Sequence, residues 1–520
     1  MTITCTRQGT WDPAEVPELA GWDRELPPIR IPVTGNIPTT RRLRALVDSA
    51  AFQRLRRVRQ TGPAYLVYPG AVHTRFEHSL GTYEMARRLV LALLTRSPGA
   101  GGAVVSAGAG SPGEAPGDGP GGTGPGETAA GDRGRGGATG GLAGGGFPEK
   151  AASGRGVAGD LLSPDDVTTF LVAALLHDVG HYPFSHTIEE IPDDDPVLAG
   201  RLPRHEERGA AIIRENPEIR QILTDLWGVD PERVCRIIRE EPAPDDPATA
   251  RLANLLAGPI NPDRLDYLAR DSEHIGVPYG RGIDYQRLLD AVCWTPDGMG
   301  VGVTPKGVSA VETLIFASYI MYRDVYWHHT SRIAGAMLRR ALTEALRAGA
   351  FAIDDFVDLD DEQALALLRA VPHPATRDLV ERLAGSGRRL YKRVARLSYP
   401  RALAGEYGAE IRNLVRAGYW EREAWSRDAC RALARRLARP VEEHHLLVDI
   451  VGGGKELFFD VPVVAGDRVY TTADPEVSVL APNIARNFRE QAKYVLLAAP
   501  AELAEEFRAM LGLPQGWQPS

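Results

Sequence analysis

The feature that most limits how this chain can fold is a stretch between residues 101 and 160 that holds 23 of its 55 glycines. The glycines follow no period and prolines are few, which excludes a collagen triple helix. With so few bulky apolar side chains, the stretch has too little surface to bury against the entropy of ordering its backbone. It reads as a disordered insertion, so the folded structure must be assembled from the two sequences that flank it. Outside the insertion glycine falls to an ordinary globular proportion, and a chain of 520 residues still has enough to bury a large core.

Charge and cysteine usage narrow the setting. Sixty basic against 68 acidic side chains give a formal charge of −8, which disfavours nucleic acid or an anionic membrane as a partner, a local basic patch aside. Cys5, Cys235, Cys293 and Cys430 are far apart and form no C-x-x-C pair, as expected of reduced thiols in a cytoplasmic protein. The N-terminal MTITCTRQGTWDP lacks a basic segment followed by an apolar run, and the apolar runs near Leu89 and Phe170 are too short to span a membrane.

Helical patterning dominates. After His78, Leu80, Tyr83, Ala86, Leu89, Val90, Leu93 and Leu94 recur at three- and four-residue steps until Pro98. Ser163-Pro164-Asp165-Asp166 reads as a capped helix start, with Val167, Phe170, Leu171, Ala174 and Leu175 facing inward and an end near Gly180. Asn261-Pro262 is a second start of the same kind, and residues 308–347 read as one long helix or two consecutive ones. From about His445 the chain reads LLVDIV, a glycine turn, ELFFDVPVV, a helix near Ile484–Gln491, a strand YVLLAA and a helix Ala501–Leu511. The expected fold is mainly α: a 1–40 extension, a 41–440 helical core interrupted by the insertion, and a small α+β module over 441–520.

Six of the twelve histidines lie between positions 73 and 205, close to acidic residues. The segments are H-T-R-F-E-H (73–78), H-D-V-G-H-Y-P-F-S-H (177–186), R-H-E-E (204–207) and N-P-D-R-L-D-Y-L-A-R-D (261–271). Imidazole nitrogen with carboxylate oxygen suits divalent ions such as Zn²⁺, Mn²⁺ or Fe²⁺. A lone buried histidine is more often a hydrogen-bonded core residue than a ligand, but four such segments, each at a helix end or start, favour a metal site. The stretch from Arg41 to Gln60 holds seven arginines and one aspartate. It reads either as a solvated face or as a helix contacting phosphates, and its position beside Gln60 favours nucleotide phosphates.

These segments resemble the HD-domain metal-dependent phosphohydrolases, in particular their deoxynucleoside triphosphate triphosphohydrolase branch. The similarity runs from Phe52-Gln-Arg-Leu-Arg through Leu66-Val-Tyr-Pro-Gly, Arg75-Phe-Glu-His-Ser-Leu-Gly and the 177–186 segment to Asp263-Arg-Leu-Asp-Tyr-Leu-Ala-Arg-Asp. The resemblance implies a helical catalytic core with one divalent ion (Mn, Fe, Zn, Mg or Co) held by His78, His177, Asp178 and Asp263. It further implies that His181, His186, His205 and Glu206 line the reaction centre as acid/base and orienting groups. Arg75 and Arg264, the latter where relatives often carry lysine, would contact the triphosphate, with Tyr267 on the same helical face as Asp263. Gln60 and Asp271 match positions that recognise the sugar 3′-hydroxyl, and Tyr326 matches a tyrosine that packs near the sugar and excludes ribose. His328 and His329 match no motif and read as packing or surface residues.

The implied reaction is hydrolysis of a deoxynucleoside triphosphate to deoxynucleoside and tripolyphosphate, by a protein that forms homo-oligomers. Two other readings compete: an HD phosphohydrolase acting on a monophosphate, cyclic nucleotide or (p)ppGpp, and a non-catalytic nucleotide- or nucleic-acid-binding regulator. Relatives often read D-P-[VI]-H-G where this chain has Ile31-Pro32-Val33-Thr34-Gly35. The missing aspartate and histidine predict an activation scheme unlike the GTP-driven one. Because His78 precedes the glycine-rich stretch and His177 follows it, the insertion is an excursion from one core rather than a linker between two domains.

Overall fold

The computed structural model describes residues 11–20, 26–95, 161–191, 198, 200–243, 245–451, 457 and 460–514. The glycine-rich insertion, and with it the expectation of disorder there, lies outside them, as do parts of the ELFFDVPVV segment. The sequences on either side, 1–98 and 156–520, belong to one compact unit.

The helix-start signals act as read. Ser163 Oγ accepts from the Asp166 backbone N–H while the Asp166 carboxylate accepts from that of Ser163, and Pro164 opens the helix Pro164–Leu176. Every residue of it from Asp166 onward is buried, as befits a helix that is apolar all round. Asn261 Oδ1 accepts from the Arg264 N–H at 2.7 Å and starts Pro262–Ile275, which closes at Gly276 with φ of 82°. The third long helix, Arg75–Thr95, begins a turn earlier than its apolar pattern and buries polar Ser79, Thr82 and Glu84 along with Leu80, Tyr83, Ala86, Leu89, Val90 and Leu93.

Arg75–Thr95 packs against both other helices. Its contact with Pro262–Ile275 is closest at Gly81, where a Cβ would lie 1.9 Å from Asp266 Oδ1 and 2.4 Å from Arg270 Nη2. Only glycine leaves room there for that ion pair. A second close approach brings the turn after Asp178 onto the helix His205–Glu215: a Cβ on Gly180 would meet His205 O at 2.0 Å and Gly209 N at 2.4 Å.

Residues 308–347 form two consecutive helices, the second of the two expected alternatives, with an unexpected π-helical turn between them. Val308–Ile320 passes into a π-helical turn, Met321–Tyr326, and His328 Nδ1 then accepts from the Thr330 N–H at the start of His329–Arg347. A wider turn of this kind is invisible to a 3.6-residue pattern.

The strand Tyr494–Ala499, buried along its whole length, is central in a three-stranded antiparallel sheet between Lys392–Ser398 and Leu447–Val451. One strand of this sheet therefore precedes residue 441. A four-stranded sheet takes Val292–Trp294 and Val301–Val303 from the helical region and Pro462–Ala465 and Arg468–Thr471 from the tail, with Val303 pairing in parallel to Val463. The three-residue strands, including the hairpin Ile29–Ile31 and Gly35–Ile37, are too short for alternation to announce them. The tail helices are Leu480–Asn487 and Ala504–Met510.

The arginine-rich stretch does different work from the phosphate-contacting helix favoured by its charge. It breaks into Arg41–Asp48, Ala50–Arg54 and a tight turn Leu55–Arg57, and its guanidinium groups meet partners within the protein. Arg42 pairs with Glu18, Arg57 with Asp360, and Arg59 with Asp361 and Glu362. Arg54 donates to the carbonyls of Val357, Asp358, Leu359 and His181. The stretch fastens the 357–362 segment to the centre of the molecule.

Candidate metal centre

The three crossing helices deliver the four proposed ligands to one point. His78 stands one turn into Arg75–Thr95, His177 and Asp178 follow the last turn of Pro164–Leu176, and Asp263 is the second residue of Pro262–Ile275. One donor atom each of His78, His177 and Asp178 lies within 4.8 Å of the others. Asp263 Oδ1 is 2.9 Å from His78 Nε2 and 3.7 Å from His177 Nε2, and Asp178 Oδ2 is 3.5 Å from His78 Nε2.

These residues fit a divalent ion. His78 Nε2 and His177 Nε2 are buried yet have no aligned hydrogen-bond partner, while the opposite nitrogens are occupied: His78 Nδ1 by Asp266 Oδ2 at 2.9 Å and His177 Nδ1 by Ala174 O at 2.9 Å. Each ring is thus oriented from behind and presents its free edge inward, the arrangement of a ligating imidazole. Burial works against a charged His78, but the carboxylates of Asp263 and Asp266 prevail and raise it to about 10. The point between them therefore favours positive charge. Burial likewise opposes the charge on Asp178, and Arg75, His177 and His181 hold it well below the usual carboxylate range.

Next to the ligands is a cluster of three imidazoles. His181 stacks on His205 with centroids 3.9 Å apart and planes 14° apart, and His186 meets His181 edge-on at 4.6 Å. Glu189 joins the group, with Oε2 2.6 Å from His186 Nδ1 and Oε1 2.8 Å from His205 Nδ1. His181 Nε2 lies 3.1 Å from Asp178 Oδ1, linking cluster and ligands. Glu206 Oε2 is 3.3 Å from His205 Nδ1. Burial, Arg75 and His205 push the His181 pKa well down; His205 moves the other way, because Glu189 outweighs its burial. Phe184 and Ser185, between these histidines, have φ of 60° and 55°, a left-handed backbone that side chains rarely adopt.

The proposed substrate residues lie around the same helices. Arg75 Nη1 donates to Asp178 Oδ2 at 2.8 Å, its Nε to Ser185 Oγ at 3.0 Å and its Nη2 to Gln60 O at 3.3 Å. Gln60 Oε1 is buried without a partner. Asp271 accepts from Tyr326 Oη at 2.6 Å through Oδ2 and contacts His73 Nε2 at 2.7 Å through Oδ1. Tyr267 and Tyr326 meet edge-to-face at 6.2 Å. Arg264 is buried, donating to Ser318 Oγ at 3.1 Å and Pro259 O at 3.3 Å. His328 and His329 are half-buried at a helix start, where His328 also packs edge-on against Tyr68.

Two family models match the chain, one described as HD domain over residues 149–273 and one as HD associated region over residues 283–471. The chain carries an HD domain followed by the region associated with it. HD domains bind divalent metals, and the His78–His177–Asp178 group could hold one. The matched HD segment contains two of these residues, and His78 lies before it. An uncharacterized protein of Methanocaldococcus jannaschii is 29% identical over 357 residues, 68% of this chain and 56% of its own length. The human deoxynucleoside triphosphate triphosphohydrolase SAMHD1 is 25% identical over 355 residues, 64% of this chain and 45% of its own. The chain thus spans about half the length of these relatives. A solved structure of a hypothetical protein from Aquifex aeolicus matches with a TM-score of 0.61 at 25% identity, covering 93% of this chain and 99% of that one.

Several residues of this HD-domain site were given no role by the motifs. Asp266, fully buried, holds His78 and is itself held by Arg270. Its signal was the i, i+4 spacing of Asp266 and Arg270. Glu189 stands three residues after His186, the spacing of helical neighbours, yet only the fold brings His205 to its other oxygen. His73 lay inside a quoted segment and acquires a partner only through the 262–275 helix. No local pattern marks Ser185, which accepts from Arg75 and donates to Arg59 O at 2.7 Å.

Proposed function

We propose that this protein hydrolyses deoxynucleoside triphosphates to deoxynucleoside and tripolyphosphate at the His78–His177–Asp178–Asp263 centre. The observation that carries the reading beyond general phosphohydrolase chemistry is the placing of Gln60, Asp271 and Tyr326. An unpartnered buried amide oxygen and a carboxylate bonded to a tyrosine hydroxyl provide acceptors for a sugar hydroxyl and a wall against a second one. The similarity to deoxynucleoside triphosphate triphosphohydrolases supports the same substrate.

A divalent ion, held by those four residues, would supply activation of water and polarisation of a phosphoryl oxygen. The remaining work belongs to the chain. Arg75, fixed by Asp178 and Ser185, places a guanidinium where charge grows on the phosphoryl oxygens. His181 is kept neutral, whereas Glu189 holds His205 toward its protonated form, the state that can give a proton to the leaving oxygen, and orients His186, which is open to solvent. One imidazole cluster thus presents both proton states.

A second reading, a smaller nucleotide as substrate, draws on Arg264, whose guanidinium is already engaged by Ser318 and Pro259. The purified protein with Mn²⁺, Mg²⁺ or Co²⁺ and each dNTP, NTP and monophosphate decides between them. Tripolyphosphate with deoxynucleoside supports the proposal, and orthophosphate from monophosphates replaces it with the second reading.

A further inference from the structure

Asp378, His444 and His445 form a cluster that shares no residue with the catalytic centre. Asp378 lies on the helix Pro374–Ala384, and the two histidines form the turn that enters the strand Leu447–Val451. One donor atom from each of the three lies within 4.8 Å of the others. His444, almost fully buried, has Nε2 3.0 Å from Asp378 Oδ2, and the His445 ring meets the His444 ring at 4.6 Å and 66°. Among adjacent residues at the start of a strand, side chains ordinarily point to opposite faces. Here the turn, closed by the Glu442 N–H donating to His445 Nδ1 at 3.2 Å, directs both imidazoles to one carboxylate.

We propose that Asp378, His444 and His445 bind a second divalent cation, of the borderline class that two imidazoles and a carboxylate select, with Zn²⁺ the representative ion. The hydrogen bond to Asp378 accounts for His444, and the Glu442 N–H holds His445, yet neither requires both rings to converge on the same carboxylate. Arg382 Nε lies 2.9 and 2.8 Å from the two oxygens of Asp378 and orients that carboxylate from the helix side. Glu502 Oε1, 3.8 Å from Arg382 Nη2, sits on the turn leaving the central strand Tyr494–Ala499 and adds a carboxylate from a third element. With Arg382 offset by Asp378 and Glu502, the local charge still favours a cation. An ion there would clasp the three-stranded sheet to the helical body.

The test is metal content of the full chain after loading with Zn²⁺ and exhaustive dialysis. Wild type is expected to retain two equivalents, Asp178→Ala one, and Asp178→Ala combined with His445→Gln none. Zn²⁺ is expected to raise the melting temperature of Asp178→Ala but not that of the combined variant. An Asp178→Ala protein that retains no zinc, or a folded combined variant that still retains one equivalent, overturns the proposal. If the combined variant fails to fold, Glu502→Gln and the spectrum of bound Co²⁺ replace it: loss of nitrogen-ligated Co²⁺ bands in Asp178→Ala alone also overturns it. One equivalent in both wild type and Asp178→Ala would support this site while rejecting the catalytic one.

Discussion

Replacing Asp266 with asparagine separates a residue that holds the metal ligand from one that only joins helices. The side chain is fully buried, and its Oδ2 lies 2.9 Å from both His78 Nδ1 and Arg270 Nε, with Oδ1 2.8 Å from Arg270 Nη2. The amide would keep the shape and one acceptor oxygen but lose the charge. Arg270, itself fully buried, would retain Pro32 O at 3.0 Å and Thr34 Oγ1 at 2.8 Å, so the penalty falls toward the lower end of the ~3–5 kcal/mol seen when one partner of a buried pair is removed. For the metal, loss of the carboxylate behind His78 should lower affinity about 10- to 100-fold, or about 1.4–2.7 kcal/mol. Titration of Mn²⁺ by electron paramagnetic resonance, beside thermal melts of the same samples, reads both effects. Thr34→Ala serves as the control: it loosens Arg270 from its other side and should lower the melting temperature without changing Mn²⁺ affinity. A folded Asp266→Asn protein that binds Mn²⁺ as tightly as wild type would refute the orienting role.

Four further outcomes are expected. Asp178→Ala should abolish turnover and Mn²⁺ binding at the His78–His177–Asp178–Asp263 centre in paired titration and product assays. Tyr326→Phe should cost about 1 kcal/mol of stability through the lost bond to Asp271 and raise turnover of ribonucleotides relative to deoxyribonucleotides in a competition assay. Gly81→Ala should destabilise by about 1–3 kcal/mol in denaturant melts, because the added methyl has to displace Asp266. Burial lifts Asp361 from 3.8 to about 6. Between those values the folded state binds the extra proton, so this group makes stability fall as pH rises, by about 3 kcal/mol in all. Asp361→Asn should remove that slope from melts taken across the window.

Much of the site was legible because its signals are local. A capping serine or asparagine, a following proline and a His-Asp pair at a helix end are written within a few residues, and the helices they start converge as the motifs imply. What the sequence hid depends on distance. Asp266 means little until Gly81 lets the helices cross, and Glu189 gains its second histidine from a segment sixteen residues later. Arg54, Arg57 and Arg59 read as part of a basic surface because most of their carbonyl and carboxylate partners lie about three hundred positions away. Short strands at 292–303 and the π-helical turn at 321–326 obey no period long enough to detect, yet the turn carries Tyr326 to Asp271.

The left-handed backbone at Phe184 and Ser185 gives the imidazole cluster a particular mechanical character. Each such residue raises the local energy by about 1–3 kcal/mol, and the conformation persists because Asp361 accepts from the Phe184 N–H at 2.8 Å and Ser185 bonds both Arg59 and Arg75. The loop therefore behaves as a loaded spring latched at three points, in an otherwise close-packed interior. Its amides should exchange with solvent by openings far smaller than global unfolding, with His186 carried along and His181, stacked beneath His205, left in place. The expected outcome is a loop that is soft at His186, which meets solvent, and stiff at His181, which meets the proposed ligand Asp178.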